Sequence, residues 1–112
     1  MTPAARWVSQ RLTDAPPELL EAMLGRLPDE PRFASVADEL ASAAHALYAD
    51  LLAHGTGGRE DALPLLAADA LLTHALEARA EEELDDIGAL AERWGAAGAL
   101  GELAAATPEA FD

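Results

Sequence analysis

Leu63-Pro64-Leu65-Leu66-Ala67-Ala68-Asp69-Ala70-Leu71-Leu72-Thr73-His74-Ala75-Leu76 decides the fold, because its leucines and alanines leave almost no polar side around a helix. At about 100 degrees per residue, Leu65, Leu72 and Leu76 fall within about 60 degrees of Asp69. Leu63, Ala67, Leu71 and Ala78 lie on roughly the opposite side and are apolar as well. A helix that is apolar all round is normally buried on every side. In a chain of 112 residues this predicts either a central position or burial by another subunit. It also predicts that Asp69 points inward with Leu65, Leu72 and Leu76.

The same register continues through Ala80, Glu83, Ile87, Leu90 and Trp94, so an unbroken helix over 62–94 would be about 50 Å long at 1.5 Å per residue. The acids from Glu81 to Asp86 disfavour a helix C-terminus and suit either continuation or a restart near Asp85. Upstream, Asp61 is placed to cap the start, and Pro64 is tolerable only in the first turn. Gly55, Gly57 and Gly58 make the preceding turn. They lack the spacing and the lysine of a phosphate-binding loop.

Before that turn, Val36, Leu40, Ala44, Leu47 and Leu51 recur at spacings of four, four, three and four, the clearest amphipathic helix in the chain. Ser35 followed by Asp38 resembles a capping box with aspartate in place of glutamate, and His54-Gly55 ends the element. Two shorter helices precede it. Thr2-Pro3 opens one that carries Ala4, Trp7, Val8, Arg11 and Leu12, and Asp14 is placed to cap a second over 17–27 that buries Leu20, Met23, Leu24 and Leu27. A last short helix is expected over 96–106, with a frayed tail from 107.

The sequence thus reads as one all-α domain over 1–112, an irregular or orthogonal bundle of about five helices with the fourth long and central. Val8, Val36 and Ile87 are the only aliphatic β-branched residues, which disfavours sheet. The many alanines allow helices to approach closely, so tight packing is expected rather than a wide cavity.

The formal charge is −14, from 21 acids against seven arginines, with no lysine. Such a surface repels nucleic acid and anionic lipid and suits a basic protein partner. With no cysteine, thiolate nucleophiles, disulfides and cysteine-ligated metals are excluded. No apolar run approaches the roughly 20 residues needed to span a bilayer, so a cytoplasmic protein without membrane association is expected.

Asp69 is the leading polar candidate, with Tyr48, His45 and Thr73 as its expected partners in a buried hydrogen bond or a small ligand pocket. His74 lies about 140 degrees from Asp69, so the two cannot share a ligand on one helix face. His74, Glu77 and Glu81 share a polar face and form at most a weak metal candidate, because no convergent ligand set accompanies them. No cofactor is expected, and no serine sits on a nucleophile elbow. Leu63, Leu71, Trp94 and Trp7 are the expected interface residues, tryptophan being enriched at binding hot spots.

Residues 67–77, Ala-Ala-Asp-Ala-Leu-Leu-Thr-His-Ala-Leu-Glu, resemble a buried helix of the polyprenyl diphosphate synthases, in which an aspartate sits among small residues and leucines. That family holds magnesium and diphosphate on two aspartate-rich motifs. Here Asp85-Asp86 is followed by Ile87-Gly88-Ala89, and basic diphosphate-binding residues are absent, so the family is not assigned. The function expected is non-catalytic: protein–protein association as a homodimer, or as a subunit or regulator with a basic partner. The alternative is a small ligand-binding or enzymatic domain with its pocket around Asp69.

Overall fold

The computed structural model describes residues 1–95 together with Gly101, Glu102 and Ala105. Among these the fold is an all-α bundle of four helices: α1 (Pro3–Arg11), α2 (Pro17–Leu24), α3 (Val36–His54) and α4 (Ala62–Trp94). α4 is the longest and is a single helical element through Asp85. The fifth helix expected over 96–106 and the tail from 107 lie largely or wholly outside the described residues.

Local chemistry sets most boundaries. The Thr2 hydroxyl accepts from the Ala5 N–H at 3.1 Å, and the Ser35 hydroxyl accepts from the Asp38 N–H at 3.0 Å, each satisfying one otherwise orphaned helix-start donor. Asp14 does not cap α2. Pro16 occupies that position, without a side-chain bond, and proline fills the first helical position. α2 ends at Leu24, three residues earlier than expected, because the Arg26 and Leu27 N–H groups turn back to Met23 and Leu24 in a tighter winding. Leu27 is still buried.

The chain divides into two compact units, residues 1–79 and 80–112. In the first, Ala4 and Val8 of α1, Met23 of α2, and Ala37, Leu40, Ala43, Ala44 and Leu47 of α3 form one core with Ala67, Ala68, Leu71, Ala75 and Ala78 of α4. α3 returns into α4 through a loop in which Gly57 takes a φ of 75°, a left-handed backbone suited to glycine. The Gly57 N–H donates to Asp61 Oδ2 at 2.7 Å, closing the loop, and a short 3-10 turn over Arg59–Asp61 leads into α4. In the second unit, the described part of α4 carries Leu84, Ile87, Leu90 and Trp94 at spacings of three, three and four, all exposed.

The phase of α4 reverses the one expected. Leu65, Leu72 and Leu76 are 47%, 41% and 67% exposed, and Asp69 is exposed between them. The buried stripe is the small-residue side, Ala67, Ala68, Leu71, Ala75 and Ala78. The same core takes Ala37, Leu40, Ala43, Ala44 and Leu47 from α3.

Candidate functional site

Two polar constellations flank α4 within residues 1–79, one on each side of the buried stripe. On the α3 side, the Tyr48 hydroxyl donates to Asp69 Oδ1. That bond, followed by partial desolvation and the nearby negative charge, raises the Tyr48 pKa above its ordinary value. His45 and Thr73 are exposed, and of the expected partners it is Tyr48 that Asp69 engages. Asp69 therefore lies at the surface, not in a buried pocket.

On the α1 side, Arg11 Nη1 donates to Glu77 Oε1 at 2.5 Å, and His74 Nδ1 lies 2.8 Å from Glu77 Oε2. Both carboxylate oxygens are thus occupied. The Trp7 ring tilts against the His74 ring at 5.9 Å, and the Arg11 guanidinium lies 4.5 Å from the Trp7 centroid. These four residues clasp α1 to α4. The His74 bond is the largest cause that lowers the Glu77 pKa; burial opposes it, and the Arg11 bond adds a smaller lowering. His74 is half-buried on the α1 side, where the sequence expected an outward polar face. Among the described residues, no three His, Asp or Glu side chains are grouped so as to hold a metal ion.

The interface expectations divide in the same way. Leu71 is fully buried within its own unit and offers no surface to a partner, a correction that follows from the reversed phase. Leu63 and Trp94 are exposed, and Trp7 is half-buried in the clasp.

Among the described residues the buried acid is one that hydrophobic periodicity does not single out. Glu39 is only 4% exposed, and its Oε1 accepts from the backbone N–H groups of Arg32 and Phe33, the latter at 2.8 Å. It lies in the first turn of α3, where the helix field also favours a carboxylate. The signal was present in the Ser35-Val36-Ala37-Asp38-Glu39 run: the capping box places Asp38 at its third position, and the acid one place further reaches back over the loop. Glu39 also lines a cleft of about 120 Å³ with Arg26, Arg32 and Ser42.

Two apolar hollows lie along the α3–α4 seam, on the Asp69 side. One, of about 360 Å³, is formed by Leu51, Asp61, Ala62 and Leu65 with Gly57 and Gly58. The other, of about 320 Å³, is formed by Ala37, Asp38 and Ala41 of α3 and Leu72, Ala75, Leu76 and Arg79 of α4. The pairings run in opposite order along the two helices, so α3 and α4 are antiparallel, with Tyr48–Asp69 between the hollows. Comparisons with protein-family models, curated proteins and solved structures give no match. Among the described residues, no helix is long and apolar enough to cross a membrane.

Proposed function

We propose that this protein acts without chemistry of its own, by cytoplasmic protein–protein association, either as a homodimer or as a subunit or regulator of a larger assembly. The observation that carries the reading is the exposure of Leu65, Leu72 and Leu76 in register on one face of α4, over about three helical turns. Single exposed leucines are ordinary, whereas three on one helix face beside concave hollows support an interaction surface. In the second unit, exposed Leu84, Ile87, Leu90 and Trp94 provide a further apolar stripe. The small-ligand alternative draws on the same seam. It is the weaker reading because Asp69 is exposed and not enclosed in a pocket.

Light-scattering mass measured over a range of concentrations tests the proposal, alongside Leu72→Glu and Leu76→Glu variants. The expected result is a species heavier than one chain, or a stoichiometric complex with a polypeptide, lost in both variants while helicity is kept. A strict monomer that forms no complex and is indifferent to both substitutions would defeat it.

A further inference from the structure

The seam between α3 and α4 in residues 1–79 has the form of a recognition groove. Its α4 wall is Leu65, Asp69, Leu72 and Leu76, and its α3 wall includes Ala37, Ala41 and Tyr48. From Leu65 to Leu76 the groove runs about 16 Å at 1.5 Å per residue, or three turns of helix. The two hollows lie at its ends, each lined mainly by apolar side chains. Between them is a carboxylate, Asp69, held in place by the Tyr48 hydroxyl. Alternating apolar seats around a fixed polar group are what an amphipathic helix requires when it lays one face into a groove.

Charge identifies the occupant. Asp38 borders one hollow and Asp61 the other, with Asp69 between, against Arg79 as the one cation among the residues that form these features. The whole chain carries −14. A second copy would bring that same charge against a seam already rich in carboxylates, whereas a cationic helix meets complementary potential. We propose that the α3–α4 groove is a docking site for a basic amphipathic helix from another protein. Two apolar side chains about three turns apart enter the hollows, and an arginine or lysine between them reaches Asp69. The proposal rests on the association reading above and adds the place and the chemistry of the partner.

The test is fluorescence anisotropy with the full chain and a labelled synthetic peptide of about 18 residues, about five helical turns, with leucine along one face and arginine on the others. An otherwise identical peptide carries glutamate for arginine. The arginine peptide is expected to bind, and the glutamate peptide to bind at least about tenfold more weakly, a difference of about 1.4 kcal/mol. Leu76→Glu is decisive because it removes an apolar seat while adding a negative charge. Groove docking weakens about tenfold or more in this variant, whereas undirected charge attraction strengthens. Leu76→Gln, which adds no charge, is expected to weaken binding in the same direction, and circular dichroism verifies that both variants stay helical.

Binding that is unchanged or tighter in Leu76→Glu overturns the groove. Self-association through Leu72 and Leu76 that excludes the arginine peptide assigns the face to a second copy; this overturns the basic helix and leaves the association reading standing. A monomer that binds neither peptide and forms no complex through Leu72 or Leu76 removes both.

Discussion

Within the first unit, one face of α4 carries Ala67, Ala68, Leu71, Ala75 and Ala78 and is buried, while the face about a third of a turn away carries Leu65, Leu72 and Leu76 and stands in solvent. By hydrophobicity alone the second face is the better core. The structure nevertheless buries the first, in one core with Ala37, Leu40, Ala43, Ala44 and Leu47 of α3. The difference teaches that hydrophobicity alone does not select the buried face of a helix that is apolar nearly all round.

The neighbouring pair Leu71 and Leu72 gives the largest contrast. Leu71→Ala opens a cavity in a fully buried site and is expected to destabilise by about 2–5 kcal/mol in urea unfolding. Leu72→Ala, at a surface site, is expected to stay within about 1 kcal/mol of the parent. Equal losses would mean that both faces are buried. Ala68→Leu adds volume where α4 has no exposed surface, and an overpacking loss of about 1–3 kcal/mol is expected in the same assay. Glu39→Ala leaves the Arg32 and Phe33 N–H groups without their acceptor, for an expected loss of about 1–3 kcal/mol.

The polar constellations on either side of α4 give smaller, pH-dependent effects of opposite sense. Glu77 has a lowered pKa in the folded chain, so its contribution is present above the ordinary carboxylate range and is lost as pH falls through the lowered value. Glu77→Gln should therefore cost up to about 1 kcal/mol near neutrality and flatten the acid limb of the stability profile. Tyr48 has a raised pKa, so the contribution of its bond to Asp69 is present below about pH 10 and is lost as pH rises through the raised value. Because Tyr48 is the only tyrosine, ultraviolet titration follows it alone, and Asp69→Asn should bring its transition down toward that of a free phenol.

Periodicity made the helices legible: the stripe Val36, Leu40, Ala44, Leu47 and Leu51 marks α3, and Thr2, Ser35 and Gly55 mark element ends through their backbone chemistry. Phase was not legible in α4. A helix apolar on nearly every side gives no polar face from which to infer the buried one, and the leucines outweighed the alanines. The expected buried position of Asp69 and the interface role of Leu71 both followed from that choice, and both reverse with it. Tyr48, His45 and Thr73 were all expected near Asp69, and the sequence did not rank them; the bond goes to Tyr48. Glu39 was not legible, because its donors lie in a loop whose path no periodicity describes.

The absence of cysteine makes the orientation of α4 directly measurable by single-cysteine scanning. Cysteine placed at Ala68, Leu71, Leu72 and Leu76 would be timed for modification by a small thiol reagent in native buffer. Leu72→Cys and Leu76→Cys should react at rates near that of an unfolded control, while Ala68→Cys and Leu71→Cys should be protected until denaturant unfolds the chain. Protection at 72 and 76 with rapid reaction at 68 and 71, in a sample verified as monomeric, would contradict this orientation of α4 and remove the surface on which the proposed association depends.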